Sequence, residues 1–122
     1  MTLPGAIPTI DVKEADRRLR EDAPRPLLVD VREGVEFATV RAPGAVLLPV
    51  SSFAARVAEL PTDRPLMLVC HLGARSAAAT GFLLRSGRSD VVNVAGGMDA
   101  WESAGLPVLR GPPAPGEGDL LA

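Results

Sequence analysis

Four short runs of this chain are apolar at almost every position, and the stretches between them carry apolar residues at helical spacing. The runs are Leu27 to Val29, Val46 to Leu48, Leu66 to Val69 and Val91 to Val94, with Thr9 and Ile10 as a further candidate strand. A short run that is apolar throughout suits a strand covered on both faces, whereas a strand wet on one face alternates. Between the runs, Asp11 reads as an N-cap with Glu14 completing a capping box, and Val12, Ala15 and Leu19 share one helical face. A short helix is expected through Glu36, Phe37 and Ala38, followed by a turn at Pro43 and Gly44. Ser51 or Ser52 is expected to cap a helix that places Phe53, Val57 and Leu60 on one side. Further helices are expected from Ser76 to Ser86 and from Asp99 to Ser103. Strands alternating with helices predict an α/β domain, a mostly parallel sheet flanked by helices on both faces, over residues 1–110. The remainder, GPPAPGEGDLLA over residues 111–122, is rich in Pro and Gly without periodicity and reads as a flexible tail.

Composition narrows the function. A chain of 122 residues can bury roughly two-thirds of its unfolded surface, so a core needs no disulfide or metal to hold it. The net charge is -2 with no block of one sign, which argues against a nucleic-acid partner and its basic stripe. The start, MTLPGAIPTID, lacks the basic end and apolar centre of a signal peptide, and no apolar run approaches the ~20 residues of a membrane span. With one cysteine no internal disulfide can form. The expectation is a cytoplasmic protein with no membrane partner, in which a thiol is free to react.

That cysteine, Cys70, ends the Leu66 to Val69 run, and the only histidine follows it. Open α/β sheets bind ligands beyond the carboxyl ends of their strands, where loops lead into helices. Here His71, Leu72, Gly73 and Ala74 must turn the chain before Arg75 and Ser76 begin a helix, and Gly73 tolerates the positive φ such a turn demands. The loop can aim successive N–H groups inward as an anion-binding nest, and the helix adds its positive end. An ordinary thiol of pKa near 8.5 is about 3% thiolate at pH 7, and lowering it by two units makes it roughly three-quarters thiolate. A strand-ending cysteine can be merely a small hydrophobe. The strand end, glycine turn and following arginine together favour a nucleophile.

Other residues read as structural. Asp30 and Arg32 suit an ion pair, and Gly96-Gly97 suits a tight strand-to-helix turn beside the site. Trp101 suits the core, Ser76 the opening of its helix, and His71 the rim rather than a general base. No Cys/His spacing suggests a metal, and no glycine-lysine loop suggests a nucleotide.

Four motifs then fall together. CHLGARS, from Cys70, resembles the C-x-x-G-x-R-S active-site loop of the rhodanese-like sulfurtransferases. LLVDVRE, Leu27 to Glu33, resembles that family's Asp-Val-Arg strand. EFATVRAPGA, Glu36 to Ala45, is similar to its E-[FY]-x-x-G-H-I-P-G-A segment, and NVAGGMDAW, Asn93 to Trp101, to its N-x-x-G-G-x-x-x-W ending. The resemblance implies a rhodanese-like fold with five strands. It implies that Cys70 takes a sulfane sulfur from a small donor such as thiosulfate, forming a persulfide, and passes it to a thiophilic acceptor such as cyanide or a thiol. A sulfur-relay protein is a further candidate partner. The backbone of His71, Leu72, Gly73, Ala74, Arg75 and Ser76 would bind the transferring sulfur, with Arg75 fixing the loop and attracting anionic donors. No cofactor is implied, because sulfur travels covalently.

Val40, Arg41 and Ala42 depart from the family's Gly-His-Ile, and a β-branched residue in place of glycine predicts a different turn there. Related phosphatases use Cys-x5-Arg. With four residues between Cys70 and Arg75 the ring of donors is tighter, which suits one sulfur better than a tetrahedral phosphate. The alternative to turnover is a persulfide carrier or regulatory module, because motif chemistry does not name the acceptor.

Overall fold

The computed structural model describes residues 6–120. The chain folds in the order β1 (Thr9–Ile10), α1 (Val12–Glu21), β2 (Leu27–Asp30), α2 (Gly34–Thr39), β3 (Val40–Arg41), β4 (Val46–Leu47), α3 (Phe53–Arg56), β5 (Leu66–Val69), α4 (Ala74–Arg85), β6 (Val91–Val94), α5 (Gly97–Ser103) and β7 (Leu109–Arg110). Five strands pair in the order β1-β6-β5-β2-β4, every pair parallel. The expected parallel sheet is therefore present, and its strands lie where the apolar runs predicted them.

Alternation along each strand builds two cores. Leu27, Val29, Leu66, Leu68 and Val91 face one side, against Phe53 of α3 and Ala79 and Leu83 of α4. Leu28, Met67 and Val94 face the other, against Val12 and Ala15 of α1, Phe37 of α2, and Met98 and Trp101 of α5. Trp101 is buried and its ring N–H donates to the Pro107 carbonyl at 2.9 Å, the core role expected of it. Crossovers from β2 and from β5 leave in opposite directions and on opposite faces, by α2 and α4. Such a switch point opens a crevice at the carboxyl ends of those two strands. Among the described residues no helix is long and apolar enough to cross a membrane.

Three local expectations are corrected. Asp11 does cap α1, accepting from the Glu14 N–H at 2.8 Å, but the Glu14 carboxylate turns away to Arg17 and Arg18. Two guanidiniums outbid one backbone N–H for a carboxylate. Neither Ser51 nor Ser52 caps a helix. A 3-10 turn over Val50–Ser52 leads into α3, and Ser52 lacks the extended backbone of an N-cap. Ser51 donates instead to the Glu33 carboxylate.

The third correction concerns Val40 and Arg41. Val40 sits in extended backbone, φ −158°, where a β-branched residue is at ease, and pairs with Arg110 of β7 in a small antiparallel ribbon. Arg41 is 4% exposed; it pairs with Glu117, donates to the Gly111 carbonyl at 2.6 Å and lies over the Phe37 ring. Leu47 of the edge strand β4 donates to the Gly118 carbonyl at 2.7 Å. Residues 111–120, read from composition as a tail, are thus laid along the domain by partners contributed from far upstream. A buried guanidinium that loses its counterion is destabilising, and replacing the charge by an apolar side chain relieves it. Glu117→Ala is therefore expected to lower the urea unfolding midpoint, and adding Arg41→Met to recover most of the loss. A double variant no more stable than Glu117→Ala would place the cost in lost contacts instead.

Candidate active site

The crevice holds Cys70, at the carboxyl end of central strand β5. The thiol is 1% exposed, on the floor of a loop whose side chains at His71, Leu72 and Ala74 point to solvent. The backbone beneath them turns inward. Gly73, at φ +114°, brings its N–H to 3.0 Å from Cys70 Sγ. α4 begins at Ala74, and in its first turn the Ser76 N–H reaches the sulfur.

Burial pushes the Cys70 thiol up, but the Ser76 hydroxyl and the N–H groups of Ser76, Gly73 and Leu72 pull it down further, so the thiol lies below its ordinary value. The direction is the one expected of a nest, with the Ser76 hydroxyl as the largest downward cause and three main-chain N–H groups after it.

The loop is held from two sides, by α5 and by α2. From α5, the Met98 N–H donates to the Cys70 carbonyl at 2.8 Å and the Asp99 N–H to the His71 carbonyl at 3.0 Å. That approach is possible only because residue 97 is glycine. A Cβ there would stand 2.3 Å from the Cys70 carbonyl oxygen, and its φ is +56°. At the end of the neighbouring β2, Asp30 and Arg32 form a buried ion pair at 2.8 Å, and Arg32 also donates to the Val40 carbonyl. They are the structural pair expected, and touch no sulfur.

From α2, Glu36 accepts both ends of the Arg75 guanidinium, at 2.7 and 2.9 Å, and also the Glu33 N–H. This changes the reading of Arg75. Its charge is engaged by a carboxylate rather than left free for an anionic donor. The Arg75 contact holds the Glu36 carboxyl down to about 2. A carboxylate lowered in this way contributes stability fully above its ordinary value of 4.5 and loses it only as pH falls through about 2. The bridge is therefore intact wherever the thiol ionises.

Two residues of the site escaped the sequence reading. Glu36 reads from the sequence as part of a short helix and as the first residue of a family-like segment, with nothing to mark it as the partner of Arg75. Asn93 is buried on β6 and accepts from the Ser76 hydroxyl at 2.6 Å, and the signal was a polar residue inside an apolar strand run. Ser76, expected to open its helix and to bind sulfur through its backbone, is fully buried with its side-chain Oγ also 3.3 Å from Cys70 Sγ. A separate cleft of about 590 Å³, lined by Leu19, Leu28, Ala45 and Arg64, opens at the opposite ends of the strands and carries no thiol or hydroxyl.

A family model described as "Rhodanese-like domain" matches residues 11–104, from the first helix cap to the end of α5. The chain belongs to the rhodanese-like sulfurtransferase family. It is 38% identical over 100 residues to a protein named sulfurtransferase from Allochromatium vinosum, covering 82% of this chain and 92% of that one. It is 37% identical over 90 residues to the thiosulfate sulfurtransferase GlpE of Pseudomonas savastanoi pv. phaseolicola, covering 74% and 83%. The crystal structure of a rhodanese-related protein from Thermoplasma volcanium superposes with a TM-score of 0.73 at 30% identity, covering 84% of this chain and 97% of that one. The matched segment contains the whole rhodanese loop and both of its supports, Glu36 and the start of α5.

Two substitutions probe the loop. Gly97→Ala is expected to cost about 2 kcal/mol or more in urea unfolding, from left-handed backbone alone before the clash is counted. It should also slow alkylation of Cys70. Glu36→Gln releases the Arg75 charge, so the ratio of iodoacetate to iodoacetamide alkylation rates should rise roughly threefold at low salt and fall back at 1 M salt. An unchanged ratio would mean that Arg75 does not act on the thiol through charge.

Proposed function

We propose that the protein is a sulfurtransferase that carries sulfur on Cys70. The Cys70 thiolate attacks the outer sulfur of thiosulfate or of a persulfide donor. A bond forms between Sγ and that sulfur, and the bond to the donor breaks, its electron pair leaving with sulfite or with the donor thiolate. Cyanide or a thiolate acceptor then attacks the outer sulfur, and Sγ departs as thiolate. Both steps are displacements, so electrons balance without an outside oxidant or reductant, and no metal or organic cofactor enters.

The observation that carries this reading is the Gly73 N–H 3.0 Å from a buried thiol that the Ser76 hydroxyl and three backbone donors together hold below its ordinary value. Donors fixed in the main chain stabilise an anionic sulfur as attacking group and again as leaving group, without reorganising between the steps. The relatives named sulfurtransferases support sulfur transfer as the chemistry.

A second reading draws on Arg75. Because Glu36 engages its guanidinium, the loop offers a small dianion less attraction than the sequence suggested. That favours a persulfide donor, or sulfur handed over by a relay protein, with the domain acting as a carrier that turns over thiosulfate poorly. In either reading the protein works in the cytoplasm, away from nucleic acid and membrane.

Intact mass after incubation with thiosulfate separates them. Wild type should gain one sulfur atom that cyanide removes, and Cys70→Ser should gain none. Wild type unmodified by thiosulfate but loaded by a small-molecule persulfide would establish the carrier reading. Failure with both donors would overturn the persulfide cycle.

A further inference from the structure

The Ser76 hydroxyl has three acceptors within reach and one hydrogen. Asn93 Oδ1 lies at 2.6 Å, Cys70 Sγ at 3.3 Å and the Gly73 carbonyl at 3.3 Å. The last is long for O–H···O, whereas 2.6 Å is ordinary for it and short for N–H···O. The amide oxygen of Asn93 therefore faces Ser76 and holds its hydrogen.

The sheet register delivers Asn93 to this place. Asn93 on β6 stands beside Leu68 on β5, two residues before Cys70, and so shares its face of the sheet. α4 covers that face and carries Ser76 on its inner side, and both side chains are buried.

We propose that Asn93 is a positioning residue whose amide oxygen competes with the Cys70 sulfur for the hydrogen of the Ser76 hydroxyl. This rests on the reading of Cys70 as nucleophile. While Cys70 is protonated, Ser76 donates to Asn93 and turns a lone pair toward the thiol, which donates its S–H to Oγ. When the thiol gives its proton to water, the hydroxyl rotates about its Cβ–Oγ bond and donates to the sulfur, and Asn93 gives up its bond. Only the S–H bond breaks. The Ser76 bond to sulfur thus forms when charge appears there, and Asn93 sets what that rotation costs.

The test is the pH profile of Cys70 alkylation by iodoacetamide, a neutral reagent that reads thiol ionisation without any sulfur donor. Asn93→Leu removes the competing acceptor at similar size and should move the midpoint down by about one unit, the scale of one hydrogen bond to a charged group. Alkylation well below both midpoints would then quicken about tenfold. Asn93→Asp should move it up. Ser76→Ala should abolish the effect of Asn93→Leu, so that the double variant matches Ser76→Ala alone.

The charged and titratable groups around the thiol are common to all these variants. They are Arg75 with Glu36 from α2, the Asp30–Arg32 pair beyond β2, Asp99 from α5, and His71 in the loop. A folded Asn93→Leu with an unmoved or raised midpoint would overturn the proposal. So would a shift of equal size with and without Ser76. Asn93→Ala serves where Asn93→Leu does not fold. Because alkylation needs no donor, failure to load sulfur from thiosulfate or a persulfide would sink the proposed function and leave this measurement standing.

Discussion

Two backbone hydrogen bonds from the start of α5 hold the Cys70 and His71 carbonyls, and the site depends on them. A peptide plane that turns its carbonyl one way turns its N–H the other. With those carbonyls drawn toward Met98 and Asp99, the loop's N–H groups are left facing the sulfur. Gly97 makes the approach possible and Gly73 completes the turn, each at a backbone angle that other residues resist. An anion site is thereby made from main chain, and the loop side chains are free to face outward.

The electrostatics follow from this economy of charge. A buried thiol is ordinarily harder to ionise, and in this crevice the Ser76 hydroxyl and three backbone N–H groups outweigh burial. The Arg75 guanidinium is tied to Glu36, and that of Arg32 to Asp30. The first pair ties the start of α4 to α2. The result suits the displacement cycle proposed for Cys70, because a dipole cradle binds an anionic sulfur without the tight hold of a salt bridge.

The segment where the family pattern breaks and the segment that composition marks as a tail explain one another. Arg41, in place of the family's histidine, is buried and reaches Glu117 and Gly111, while Gly118 covers the edge strand β4. An uncovered parallel edge leaves backbone groups unpaired. Neither feature is interpretable alone, since the charge at Arg41 is costly without the carboxylate that lies 76 residues away.

Periodicity and punctuation in the sequence determined the strands, their burial on both faces, the helices between them and the placing of Cys70 at a strand end before a glycine turn. These follow from local physics: runs such as LMLV and VVNV can be satisfied only inside a covered sheet, and CHLGARS can turn only at Gly73. The tertiary structure decided what the sequence left open. It decided that Arg75 is paired with Glu36, that Ser76 reaches the sulfur and Asn93 reaches Ser76, and that residues 111–120 lie along the domain. Each is a contact between residues distant in the chain or brought together across a helix and a strand. Sheet register and helix rotation set such contacts, and no local pattern encodes them.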